Sequence, residues 1–341
     1  MPGLVSLLLS SVCAGLLAQA GSGGVPLPAK ARVYVAKDLE AVSAFEPSSE
    51  RVIDMCRKGI IAFTGKPSVA QAWQTLVQPS DRIGIKVYAS PGRLSGTRAV
   101  VVSAVIQGLI EAGVPPHHII VWDRHLSDLR RSGYGELAEK WGVLLAGSAD
   151  AGFDEAAFYE AAVLGRLIWG DLQFRGEGEK VSRRSHISRL LTRDITKIIN
   201  IHPLFNHNAV GVYGHLYGLA MGGVDNQLRF ENSPALLAEA VPEIYAQKEF
   251  SDRVVLNITD ALLCQYEGEQ RSLLHYTAVT QELRFSSDPV ALDALSIHDI
   301  DQFRPGRKQS EKKAVRQLLE NASLLELGHS ELARIELIEL P

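Results

Sequence analysis

The segment from Asp81 to Trp122 constrains the fold more than any other. Ile83-Gly84-Ile85-Lys86-Val87 is a short apolar run of strand length, and Ala89 to Thr97 is a loop carrying Pro91, Gly92 and Gly96. Arg98 to Ala112 is then a helix stopped by Gly113 and Pro115-Pro116, and His118 to Trp122 is a second apolar run. Strand, helix and strand in that order predict a parallel pair joined by a right-handed crossover. Such a unit commits the chain to an α/β fold, a mostly parallel or mixed sheet flanked by helices. The loop after Val87 and the turn Asp123-Arg124-His125 then share one sheet edge. Carboxyl ends of parallel strands are where α/β folds hold their ligands.

The remaining pattern extends this unit. Arg32 to Ala36 alternates as an opening strand, and a helix begins at Ser48-Ser49-Glu50 with Val52, Ile53, Cys56 and Ile60 as its apolar stripe. Lys197 to Ile201 is a buried strand that His202-Pro203 ends. Ser233 to Lys248 is a helix that Pro242 kinks or breaks midway. Arg253 to Ile258 is a strand ending in Thr259-Asp260. A helix follows Asp288-Pro289, another covers Glu311 to Asn321, and Arg334 to Leu340 closes as a strand. Residues 31–341 therefore read as one α/β domain, with an irregular insertion of one or two strands near 147–184.

Leu4 to Leu17 is an apolar run, followed by Ala18-Gln19-Ala20 and by Gly21-Ser22-Gly23-Gly24. This is the pattern of a signal peptide over 1–20 and a flexible linker over 21–30, although the start carries no Lys or Arg. The run is shorter than the ~20 residues a spanning helix needs, so the expectation is export, periplasmic or secreted, with no membrane span once the leader is removed. The net charge is −4 and no basic block stands out, which excludes nucleic acid as a partner. None of the three cysteines lies in a Cys-x-x-Cys pair, so no iron–sulfur cluster is expected. Cys56 and Cys264 read as buried free thiols, with a disulfide as the alternative. No nucleophile elbow, P-loop, His-Glu-x-x-His or Rossmann glycine fingerprint is present.

The densest polar cluster runs from Asn200 to Asn226. It holds His202, His207 and His215 among the chain's ten histidines, with Gly211, Gly214, Gly218, Gly222 and Gly223, then Asp225 and Asn226. Imidazoles at a strand end suit proton transfer, anion recognition or metal ligation, or they bond backbone carbonyls in a buried loop. Frequent glycines mean tight turns or backbone approaching a bound group. Lys86, inside an apolar strand, must reach an anion, a carboxylate or solvent. Asp123, His125 and Asp260 lie at predicted strand ends. Asp288 starts a helix, and Asp293 follows an apolar run on it. The candidate catalytic set is His207, Lys86, Asp123 and Asp260. The candidate ligand-binding set is His125, Gly211, Gly214, Asp225, Asn226, Asp288 and Asp293. A divalent metal on His202, His207 and His215 is the candidate cofactor.

Asp81 to Val87, Thr97 to Arg124, Leu129 to Tyr134, Ile199 to Asn226, Asp288-Pro289-Val290-Ala291-Leu292-Asp293 and the tail from Leu325 to Glu336 together resemble the uncharacterised family called domain of unknown function 362. The resemblance implies a single exported α/β domain and the location of a site, with no reaction attached. It also implies cations that this chain lacks. Phe205 and Tyr217 stand where the family carries lysines, and Tyr88 stands for the asparagine after the strand lysine. Two functions follow as expectations: a metal- or anion-dependent enzyme, or a non-catalytic protein binding a small anion or metal.

Overall fold

The computed structural model describes residues 27–174, 180–304, 306 and 308–341. The leader read at 1–20 and the linker as far as residue 26 lie outside the described residues. Besides the two-residue antiparallel pair Val42–Ser43 and Glu46–Pro47, the labelled strands are β1 (Ala31–Lys37), β2 (Ile83–Lys86), β3 (Ile119–Asp123), β4 (Leu144–Gly147), β5 (Phe153–Arg166), β6 (Val181–Ser188), β7 (Lys197–His207), β8 (Gly211–Val212), β9 (Val254–Gln265), β10 (Thr277–Ser286) and β11 (Ile335–Glu339). All but β5 and β6 form one nine-stranded sheet in the order β11-β1-β10-β9-β7-β2-β3-β4, with β8 folded back on β7. The run β9-β7-β2-β3-β4 is parallel, and β10 runs against both its neighbours. The chain therefore has a mixed, mostly parallel sheet.

Helices cover both faces. On one lie α1 (Ser49–Thr64), α2 (Val69–Gln74), α3 (Ala99–Glu111) and, near the β4 edge, the short α4 (Leu126–Arg131) and α5 (Tyr134–Trp141). They pack on Ile83, Ile85, Val121, Ile199, Ile201, Leu256 and Ile258. On the other lie α6 (His215–Gly223), α7 (Pro234–Tyr245), α8 (Pro289–Gln302) and α9 (Lys313–Leu324). There Ile120, Trp122 and Ile198 meet Leu216, Leu219, Leu237 and Val241. The predicted β2–α3–β3 unit forms with Ile83 opposite Ile119 and Lys86 opposite Trp122. Because side chains alternate along a strand, an odd–even split puts the isoleucines of β2 on the α3 face and Lys86 on the α6 face.

Three sequence expectations are corrected. β7 does not end at His202-Pro203 but continues to His207. Proline is tolerated because its pairing with β9 is interrupted there, between Asp260 and Cys264, and β2 has already ended at Lys86 opposite Asn200. β9 likewise runs past Thr259-Asp260 to Gln265. Finally, α7 passes through Pro242 unbroken. The proline removes the N–H that Ala238 O would accept, and the Asn321 amide on α9 donates to that oxygen at 2.9 Å instead.

Segment 147–184, read as an irregular insertion, contributes most of the antiparallel hairpin β5–β6 beside the main sheet. Cys56 and Cys264 are buried free thiols, and burial pushes both thiol pKa values up. Among the described residues no helix is long and apolar enough to cross a membrane.

Candidate functional site

A pocket of about 220 Å³ opens at the carboxyl ends of β2 and β3. Lys86, Asp123, Arg124, His125 and Asp128 line it with Tyr88, Tyr213 and Tyr217, and the backbone of α6 at Gly218 and Gly222 forms its floor. Lys86 Nζ donates to Asp123 Oδ1 at 2.8 Å and to Val87 O at 2.5 Å. The other carboxylate oxygen accepts from Ala89 N, and Oδ1 also accepts from Arg124 N, each at 2.8 Å. The lysine is buried with Trp122 under its ammonium at 5.4 Å. Burial lowers its pKa and Asp123 opposes that shift. One turn carboxylate thus fixes both the strand cation and the loop that follows β2.

Arg124 extends from the same turn to the end of α6. Its Nη1 donates to Met221 O at 3.2 Å and to Val224 O at 2.6 Å, and it also bonds the Gln227 side chain. A guanidinium there offsets the partial negative charge of the helix C-terminus. Among the described residues its hydrogen bonds all use Nη1, which leaves the donors of Nε and Nη2 for a ligand. His125 stands exposed at the pocket rim.

The glycines of α6 bring its backbone onto buried polar side chains. A Cβ at Gly214 would lie 2.1 Å from the Asp293 carboxylate, at Gly218 2.0 Å from the His202 ring, and at Gly222 2.7 Å from Lys86 Cε. The spacing of four residues aligns the three on one helix face. Beneath them runs a buried polar stripe of Lys86, Asn200, His202, Asn257 and Thr259.

The candidate catalytic set therefore splits. Lys86 and Asp123 meet in the pocket; Asp260 and His207 do not join them. Asp260 lies on the α3 face, where it accepts from Arg98 N and Arg98 Nη1, each at 2.9 Å. It ties the start of α3 to the sheet. His207 ends β7, and its Nδ1 accepts from Ala209 N and Val210 N at 3.1 and 3.3 Å. Burial holds its pKa down at about 3. It is a turn-closing acceptor behind the pocket's tyrosines.

The three-histidine metal set is also corrected. Among the described residues no three His, Cys, Asp or Glu side chains are grouped to hold a metal ion. His202 and His215 pack edge to face at 5.5 Å, while His207 packs on Tyr213 and Tyr217. His215 Nε2 pairs with Thr259 Oγ1 at 3.0 Å. Among the described residues neither ring nitrogen of His202 has a protein partner.

The remaining candidates hold the fold together. Asp288 caps α8 through Ala291 N and accepts from His329 N at 2.9 Å. Asp293 accepts from His215 N and Leu216 N at 2.7 and 3.0 Å, capping α6 from outside, and burial lifts its pKa to about 7. Asp225 accepts from Leu172 N and His186 N, and Asn226 donates to Ser182 O and Arg184 O, so both bind the β5–β6 hairpin. Gly211 takes φ +93° in the tight β7–β8 turn. Gly214 makes room for Asp293.

Sequence reasoning missed Tyr213, Gln227 and Gln270 as lining residues, and Arg124 as more than part of a turn. The spacing of Tyr213 and Tyr217, one helical turn apart before and inside α6, was the available signal. Gln270 lies in a loop after β9 and carries none.

No protein-family model matches the chain, and no curated protein does. A solved structure of a Thermotoga maritima protein from a structural-genomics programme is similar over 84% of this chain, at 12% identity and a TM-score of 0.39. The chain spans 61% of that protein's length.

Proposed function

We propose that this is an exported, non-catalytic binding protein for a small organic anion, held at the strand-end pocket by Arg124 above the Lys86–Asp123 pair. The observation that carries the reading is the guanidinium: anchored through one nitrogen to the end of α6, it keeps a planar set of donors at a pocket of ligand size. Lys86 adds positive charge at the floor, and its ammonium is already held by Asp123. Binding is favoured over catalysis because His207 and Asp260 each serve a structural bond away from Lys86 and Asp123. The leader read at 1–20 would deliver the pocket to the periplasm or the exterior.

The test is calorimetric titration of the mature chain with small mono- and dicarboxylates and with inorganic phosphate. At least one carboxylate is expected to bind, and Arg124→Gln, which keeps a donor for the helix carbonyls, should weaken it about tenfold. The reading is wrong if no acid binds at millimolar concentration, or if a folded Arg124→Gln chain binds as tightly as the parent.

A further inference from the structure

The three tyrosines of the pocket form a built wall rather than scattered lining. Tyr88 and Tyr213 stack with ring centroids 4.6 Å apart at 12°, and Tyr217 meets Tyr213 edge-on at 5.3 Å and 84°. A second layer holds these rings in place. Phe205 packs behind Tyr88 and Tyr213 at 6.0 and 5.6 Å, and His207 packs against Tyr213 and Tyr217 at 4.3 and 4.6 Å. The Tyr217 hydroxyl donates to Glu231 at 2.7 Å, which fixes that ring's tilt. Tyr213, in the middle, is buried, whereas Tyr88 and Tyr217 keep part of their surface open toward the cavity they line. Rings held this way lose little freedom when a ligand docks.

We infer that the pocket takes a carboxylate carried on a single six-membered ring, the ring lying against Tyr88 and Tyr217 and the carboxylate reaching Arg124. The inference rests on the anion-binding reading above and adds the ligand's body to its charge. A cavity of about 150 Å³ is enough for benzene, so the 220 Å³ here holds one ring with its acid group. Tyrosine faces accept either an aromatic ring or the C–H face of a pyranose. Ser90, Gln227 and Gln270 at the rim offer partners for the hydroxyls of a pyranose.

The experiment titrates benzoate, glucuronate and acetate into the full mature chain and into Tyr217→Leu, Tyr88→Leu and Tyr217→Phe. One ring acid should bind at least about tenfold more tightly than acetate; which of the two does so identifies the aromatic or the sugar source. The preference should fall toward unity in Tyr217→Leu and survive in Tyr217→Phe. Tyr88→Leu supplies the same readout if Tyr217→Leu does not fold. Acetate binding as tightly as both ring acids, or a preference unchanged in the leucine variants, overturns this inference and leaves the anion site standing. Failure of all three acids and of the wider carboxylate panel overturns both.

Discussion

At the scale of the residue, the glycines of α6 explain how a helix can lie directly on charged and polar side chains. The sequence marks this stretch as one where backbone approaches something closely, and that much was legible. What it approaches was not, because Lys86 and His202 are more than ten residues away along the chain and only the sheet brings them under the helix. The group met by Gly218 is the chain's own His202 ring, with 2.0 Å left for a Cβ. Gly218→Ala would gain helix propensity of about 1 kcal/mol. It would also force the ring or the helix to move inside a close-packed core, where overpacking costs about 1–3 kcal/mol. The collision is with a fully buried ring, so the cost should win, and chemical denaturation should show a net loss of stability. Gly135, on α5, has nothing among the described residues within 4 Å of its added Cβ. Gly135→Ala should therefore show the propensity gain alone, and equal effects at the two sites would refute the packing argument.

At the scale of the element, local pattern was enough wherever a strand or helix is bounded by its own residues. The β2–α3–β3 unit, α1 and α8 are of this kind: Gly113 and Pro115 stop one helix, and Asp288 with Pro289 starts another. Legibility failed where a boundary depends on the neighbour. β7 continues through Pro203 because the ladder beside it is already interrupted, which no reading of His202-Pro203 alone reveals. Pro242 is the sharper case. A proline inside a helix should break it, yet α7 continues because Asn321 of α9 donates to the carbonyl the proline strands. Asn321→Ala should then cost about 1–3 kcal/mol, the penalty of an unsatisfied buried acceptor. In a Pro242→Ala background the restored N–H satisfies Ala238 O, so the same substitution should cost much less. A double-mutant cycle on unfolding free energies tests this, and additive effects would mean that the amide does not stand in for the missing bond.

At the scale of the whole molecule, the site was half legible. Lys86, Asp123 and His125 were found because strand ends converge in any parallel sheet. Asp260 was misplaced because one position of alternation sends it to the opposite face, and the tyrosine wall required the β7–β8 turn to fold Tyr213 back beside Tyr88. The buried histidines give this architecture a predictable response to acid. Burial holds His202 well below its ordinary 6.5, and His207 and His215 at about 3. A histidine whose folded pKa is depressed contributes stability above its unfolded value and loses it as pH falls toward the folded one, because the unfolded chain takes up the proton first. Asp293 acts in the opposite sense. Its carboxyl is raised to about 7, so its contribution is present at low pH and fades as pH rises through that value. Three histidines lose stability on acidification; Asp293 gains, and Asp288 and Glu231, whose carboxyls burial also raises but by less, gain with it, so the large histidine shifts decide the sign. The urea midpoint should therefore fall between about pH 7 and about pH 5. His202→Leu sacrifices no hydrogen bond among the described residues, where neither ring nitrogen has a protein partner. It should retain the midpoint near pH 7 and flatten the decline below it. A midpoint that rises on acidification, or a slope that His202→Leu leaves unchanged, would show that this histidine is not held neutral by the fold.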